Sequence, residues 1–120
     1  MKKRILIIDN DIDILNILAI ILKNRGYEVI TDKAGSSADN IQDPFPDMII
    51  LDIALNGYDG KQICSRLKSG NQTAAIPVLL FSANLDLQRI CAAVHADDYL
   101  TKPFEISELI KKVDKFMVTG

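Results

Sequence analysis

The chain has little of what marks several large function classes. Among 120 residues there is a single histidine, His95, and only two cysteines, Cys64 and Cys91, far apart in apolar surroundings. That leaves no His/Cys cluster of the kind that binds zinc. Both thiols read as reduced core residues of a cytosolic protein. Charge of neither sign dominates: 14 basic residues face 16 acidic ones, for a net charge of −2. There is no basic footprint for nucleic acid and no charged tail. No apolar run reaches the roughly 18 residues of a membrane span. The nearest, ILNILAIIL, is enclosed by Asp13 and Lys23. The opening MKKRILIIDN places basic residues before an apolar run, but four residues later the run meets Asp9, too soon for a signal-peptide core. No Gly-rich loop follows that run, which excludes nucleotide binding of the Rossmann or P-loop type. Repeats, low-complexity segments and linkers are also missing. The expectation is one domain over residues 1–120 without an output domain, located in the cytoplasm.

What is there is an alternation. RILII (4–8), MIIL (48–51) and PVLLF (77–81) are short continuous apolar runs of the kind found in parallel strands buried on both faces. YEVIT (27–31) and DDYLT (97–101) are weaker strand candidates. Segments of helical period lie between them. Leu15, Leu18, Ala19 and Leu22 mark the first, with Gly26 as its stop. A second, over 35–42 (GSSADNIQ), has little apolar surface. The third covers 59–69 and the fourth 85–95. In the last, Ile106, Leu109, Ile110, Val113, Phe116 and Met117 form a stripe opposite Lys111, Lys112 and Lys115. Five strands each followed by a helix predict a right-handed, doubly wound parallel sheet. Such sheets bind ligands beyond the carboxyl ends of their strands.

The residues at those ends form a chemical set. Strand one ends at Asp9, Asn10 and Asp11, strand three at Asp52, strand four at Ser82, and strand five at Lys102 followed by Pro103. Clustered acids repel unless a cation sits among them, and hard oxygen donors favour magnesium over zinc. The set suits phosphoryl transfer to a carboxylate. A divalent ion and a fixed ammonium remove the repulsion between carboxylate and phosphate, and a hydroxyl donates to another phosphoryl oxygen. Asp52 is the best nucleophile: it ends the most apolar run, flanked by Ile50, Leu51 and Ile53.

ILIIDND (5–11), PDMIILDIALNGYDG (46–60), IPVLLFSA (76–83) and ADDYLTKPF (96–104) occur in this order, with 43, 30 and 20 residues separating Asp9, Asp52, Ser82 and Lys102. With these pieces the chain resembles a response-regulator receiver domain of two-component signalling, of the chemotaxis-regulator type, over essentially its full length. The resemblance implies a flavodoxin-like (βα)5 fold with strand order 2-1-3-4-5. It implies that Asp52 accepts a phosphoryl group from a histidine kinase or phosphotransfer protein, and that Mg2+ is held by Asp9, Asn10, Asp52 and the backbone carbonyl of Ala54. Ser82 and Lys102 would contact the phosphoryl group, Ser82 and Tyr99 would form the switch, and the Lys102–Pro103 bond would be cis. The phosphorylated domain would then present a changed helix-four, strand-five, helix-five surface to a downstream protein target. No direct contact with nucleic acid or membrane is implied, and the chain would be a monomer or weak dimer.

Several residues depart from the family pattern. Asn10 stands where a second acid is usual. One unit-charge pair at about 4 Å and an effective dielectric of about 20 amounts to roughly 4 kcal/mol before desolvation, so weaker Mg2+ binding is expected. Asn56 replaces a usual proline, which would loosen the loop after Asp52, and His95 replaces a usual glycine. The stretch from Ser82 to Tyr99 is about two residues short, which bears on helix four. Ala54 and Asn84 flank the path of hydrolytic water. Asp11 and Asp13 suit a helix N-cap and first turn, with Asp11 alternatively compensating for Asn10 from the rim. Asp97 and Asp98 are expected to be solvated or paired with lysines of the last helix. Two other functions fit parts of the chain: a degenerate receiver that binds its partner without phosphorylation, and a haloacid-dehalogenase-type phosphatase with Asp9 as nucleophile.

Overall fold

The parallel sheet forms where the branched aliphatic runs predict it. The computed structural model describes residues 2–41, 44–55 and 58–117. Strands β1 (Arg4–Ile8), β2 (Glu28–Asp32), β3 (Met48–Asp52), β4 (Val78–Ser82) and β5 (Asp98–Thr101) pair in parallel, in the order β2-β1-β3-β4-β5. Helices α1 (Ile12–Asn24), α2 (Gly60–Ser69), α3 (Leu87–Ala93) and α4 (Ile106–Met117) cover the two faces. One face packs Leu6, Ile8, Ile49 and Leu51 against Ile63 and Leu67 of α2 and Leu87 of α3. The other packs Ile5, Ile7, Ile50 and Phe81 against Leu15, Leu18 and Leu22 of α1 and Leu109, Val113 and Met117 of α4. Every residue of β3 and β4 is buried, because each has a strand on both sides and helices above and below. β2 is an edge strand, and three of its five residues are exposed.

The expected second helix is not α-helical. Residues Ser36–Asn40 make a single 3-10 turn, and residue 42 lies outside the described residues. Ala38 and Ile41 supply the apolar contacts there, too few for an α-helical stripe. In addition, the Asp32 carboxylate captures the N–H groups of Ala34 at 2.9 Å and Ser37 at 2.8 Å, which favours a tight turn. The fourth expected helix is shorter than 85–95, in keeping with the short segment after Ser82. Ile106 does not belong to the buried stripe of α4. It stands one turn beyond Leu109, past the edge of the packed core, and is 54% exposed. Cys64 and Cys91 are buried free thiols; burial pushes Cys64 up to about 12, so it packs as a small apolar side chain.

Asp11 caps α1, accepting from the N–H groups of Asp13 at 3.0 Å and Ile14 at 3.4 Å, and Asp13 lies in the first turn. This assigns Asp11 to the helix and not to the rim role. Asp98 pairs with Lys112 and Lys115 of α4, as expected. Asp97 instead pairs with Lys68 of α2, at 2.8 Å, and accepts from the Val78 N–H, locking the start of β4. Asn56, expected to loosen the loop after Asp52, lies outside the described residues.

Two helices end in the same hydrogen-bond pattern with different residues at its critical position. In α1 the Tyr27 N–H reaches the Leu22 carbonyl and the Gly26 N–H reaches Lys23, with Gly26 at φ 92°. In α3 the Ala96 N–H reaches Cys91 and the His95 N–H reaches Ala92, with His95 at φ 62°. A side chain with a Cβ is strained in this left-handed region. His95→Gly is therefore expected to stabilise the fold by about 1 kcal/mol, a rise of a few degrees in Tm. Thermal unfolding checks it; an unchanged or lower Tm would show that the αL residue carries no strain.

Candidate functional site

The carboxyl ends of β1, β3, β4 and β5 bring the predicted set together. Asp9 follows β1 directly and is fully buried, while Asp52 and Ser82, the last residues of β3 and β4, are each 4% exposed. Lys102 follows β5, and its N–H donates to the Ser82 carbonyl at 2.9 Å, continuing the β4–β5 ladder by one bond. This places the lysine stem over the strand ends. Its ammonium donates to Asp9 Oδ2 at 3.0 Å and to Asp52 Oδ2 at 3.1 Å. It also lies 4.7 Å from the centroid of the Phe81 ring, which is itself packed edge-on against Phe104. The Lys102–Pro103 peptide is cis.

Each carboxylate has a second partner. Asp9 Oδ1 accepts from the Asp11 N–H, and Asp52 Oδ1 from the Ala54 N–H, both at 2.9 Å. These short-range bonds fix both rotamers. Ala54 then pairs with Asp59 in a two-residue antiparallel ribbon that leads into α2. Gly60 opens α2 against the site: a Cβ there would lie 2.6 Å from the Asp52 carbonyl oxygen and 2.4 Å from Ile53 Cα. Only glycine permits so close an approach. Ser82 Oγ accepts from the Asn84 N–H at 3.2 Å, and the Asn84 side chain in turn accepts from Asp86. Asn10 is half-buried beside Asp9. Tyr99 is half-buried, packed against the core on the α3 side, with the Lys112 ammonium 5.3 Å from its ring. It lines the sheet edge and is not one of the groups gathered around Lys102.

Asp52, Ile53, Ala54, Lys61, Ser82, Ala83, Asn84 and Lys102 line one cleft of about 460 Å3. Lys61 is the cleft residue that sequence reasoning missed. Its signal was present: Asp59-Gly60 is an N-cap followed by a residue small enough to touch the strand end, which sets Lys61 at the rim. Phe81 was read only as strand core, though it also supports the Lys102 stem.

The two acids share one ammonium, so the set Asp9, Asp52 and Lys102 carries a net charge of −1. Burial pushes the Asp9 carboxyl up; the Asp11 N–H and Lys102 pull it back, Asp52 pushes it further, and the net shift is upward. For Lys102, burial acts downward but the two carboxylates outweigh it, and the net shift is also upward. Among the described residues no group of three or more His, Cys, Asp or Glu side chains is placed to hold a metal ion. The oxygen set of Asp9, Asn10 and Asp52 nevertheless fits a hard divalent cation. It is all oxygen, it is short of positive charge, and a cation there would relieve the cost of ionising Asp9.

A carboxyl whose folded pKa exceeds its unfolded value binds its proton more tightly when folded. Ionising Asp9 therefore costs stability, and the loss begins as pH rises past about 3.8 and is complete above the raised folded value. Asp9→Asn is expected to remove that loss and to raise Tm at pH 7 without divalent metal by a few degrees, about 1 kcal/mol. Lys102 keeps Asp52 as its partner in that variant. Melting curves of both proteins across pH 3 to 7 check it; a lower Tm for the variant at pH 7 would contradict the assignment.

Comparison with known proteins identifies the family and agrees with the fold. The family model described as response regulator receiver domain matches residues 5–114. The DNA-binding dual master transcriptional regulator RpaA of Synechocystis sp. is 39% identical over 113 residues, covering 92% of this chain and 47% of that protein. The chain spans about half the length of the curated relatives it matches. A proposed response regulator from Chloroflexus aurantiacus J-10-fl superposes with a TM-score of 0.91 at 30% identity, over 99% of this chain and 100% of that one. The receiver domain of the sensor histidine kinase PA1611 from Pseudomonas aeruginosa, solved with magnesium in its active-site cleft, shares the fold with a TM-score of 0.85 at 22% identity, over 99% and 100% of the two chains. With the parallel sheet in the order that the resemblance implies and a family model covering nearly all of it, the chain belongs to the response-regulator receiver domains.

Proposed function

We propose that this domain accepts a phosphoryl group on Asp52 from the phosphohistidine of a histidine kinase or phosphotransfer protein and passes the signal to a protein target. The observation that carries this reading is the Lys102 ammonium within 3.1 Å of both Asp9 and Asp52. It supports a carboxylate that is buried, oriented and adjacent to a fixed positive charge, which is what attack on a phosphoryl group needs. An Asp52 oxygen forms the new O–P bond as the donor N–P bond breaks, and the imidazole nitrogen keeps the electron pair. Lys102 neutralises charge on the transferred group, and the Ser82 hydroxyl turns from acceptor to donor toward a phosphoryl oxygen. Mg2+, when held by Asp9, Asn10, Asp52 and the Ala54 carbonyl, supplies further positive charge between carboxylate and phosphate.

Switching follows from the same contact. The new dianion draws Ser82, whose Oγ now holds the Asn84 N–H, and so pulls on the loop leading to α3. Tyr99 lies half-buried beside α3 and turns inward as that loop leaves. The α3–β5–α4 surface then presents a different shape to its partner. The degenerate alternative gains no support, because Asp52, Ser82 and Lys102 all share one site. The phosphatase alternative gains no support: the family model that matches residues 5–114 is that of response-regulator receiver domains.

Incubation with acetyl phosphate and Mg2+ is expected to give an acid-stable, base-labile acylphosphate on the wild type and none on Asp52→Asn, read by intact mass. Labelling of Asp52→Asn to the same extent would overturn the reading. Asn10→Asp is expected to bind Mg2+ about tenfold more tightly, since it adds a unit charge beside the ion. Calorimetric titration measures this; equal affinities would remove Asn10 from the proposed ligand set.

A further inference from the structure

We propose that Lys61 is a second cationic contact for the phosphoryl group delivered to Asp52, and that it favours small anionic phosphodonors. The inference rests on the phosphoacceptor reading of Asp52 and adds to it a residue which that reading does not use. Lys61 lines the same cleft of about 460 Å3 as Asp52, Ser82 and Lys102. Its backbone position is tightly set. The Asp59 carboxylate accepts its N–H at 2.9 Å, and Gly60, immediately before it, touches the Asp52–Ile53 backbone. The side chain is exposed, and among the described residues its ammonium makes no ion pair. Lys102, by contrast, is already shared between two carboxylates.

The charge balance gives Lys61 its role. Transfer turns the Asp52 monoanion into an acyl phosphate dianion, while Lys102 remains the cation that it shares with Asp9. Asn10 supplies no charge to retain a metal ion in compensation. An exposed ammonium on the cleft lining can meet an incoming phosphoryl oxygen without displacing Lys102 from its carboxylates. With acetyl phosphate, an Asp52 oxygen forms a bond to phosphorus, the bond from phosphorus to the acetate oxygen breaks, and acetate leaves with the electron pair. No proton moves, and Lys61 keeps its own throughout.

Rates of Asp52 phosphorylation by acetyl phosphate with saturating Mg2+ test this in the wild type, Lys61→Met and Lys61→Arg, with Asp52→Asn as control. Lys61→Met is expected to react about three- to tenfold more slowly at low ionic strength, with the gap closing at high salt, and Lys61→Arg to restore most of the rate. Mg2+ affinity of Lys61→Met is expected to be undiminished. Equal rates and equal salt dependence for Lys61→Met and wild type would overturn the inference and leave the Asp52 reading intact. A rate loss matched by a loss of Mg2+ affinity would also overturn it, since Lys61 would then act through the metal site. If the wild type itself gave no more acylphosphate than Asp52→Asn, the phosphoacceptor reading would fall first.

Discussion

Two carboxylates at the carboxyl ends of adjacent parallel strands, both nearly sealed from water, need a cation between them. Lys102 provides it, with bonds of 3.0 and 3.1 Å to Asp9 and Asp52. Removing the lysine would leave two buried carboxylates uncompensated, at a cost of about 3–5 kcal/mol. The fold spends much of its local order on holding this arrangement. The ladder bond from the Lys102 N–H to Ser82 sets the lysine over the strand ends, the Phe81 ring supports its stem, and backbone N–H groups of Asp11 and Ala54 fix the two acids. Sheet order matters for the same reason. β1 and β3 are neighbours, and β4 and β5 complete the row, so residues separated by up to 93 positions meet at one ammonium.

The arrangement remains incompletely neutralised, and that deficit is what makes it responsive. A fully paired site would be stable and inert. Here one positive charge serves two negative ones, and burial already disfavours ionised Asp9. On the proposed reading, the site is held in a state that a divalent cation would relieve and a phosphoryl group would alter. Ser82 connects this electrostatic state to the backbone, because its hydroxyl is occupied by the Asn84 N–H and any new acceptor competes with that bond. Charge at the strand ends is thereby coupled to the loop that leads into α3.

Much of this was legible from the residues because the signals were redundant. Continuous apolar runs specified the buried strands, and the first polar residue after each run marked its end, which located Asp9, Asp52 and Ser82, while Lys102 was found at the end of the weaker strand DDYLT, before Pro103. Weaker elements were decided by interactions that sequence spacing does not carry. The second helix was lost to the Asp32 carboxylate, which takes two nearby N–H groups, and Asp97 chose Lys68 of α2 over α4 because it also closes the Val78 N–H. Ile106 fits the helical period of α4 but lies beyond the reach of the sheet. The left-handed conformation at His95 follows from the α3 hydrogen-bond pattern, which forms around a residue poorly suited to it. Lys61 was missed since its neighbours Asp59 and Gly60 mark a helix start and do not by themselves mark a place beside Asp52. Its place depends on Gly60 lying against the Asp52 backbone, a tertiary contact.

Asn10 and Lys61 together shift the site in one direction. An amide in place of an acid lowers its attraction for a divalent cation, and an ammonium at the rim raises its attraction for an anion. Neither change disturbs the bonds among Asp9, Asp52 and Lys102, so the core of the site is preserved while the balance of ions around it moves. On the proposed reading, positive charge lost with a more weakly held metal is recovered from a side chain near the same oxygens. The cleft offers one unpaired cation among its described residues, on a helix whose first residue is pressed against the acceptor strand. The amide beside Asp9 and the ammonium on the cleft lining thus act in the same electrostatic direction, one removing negative charge that would attract a cation and the other adding positive charge that attracts an anion.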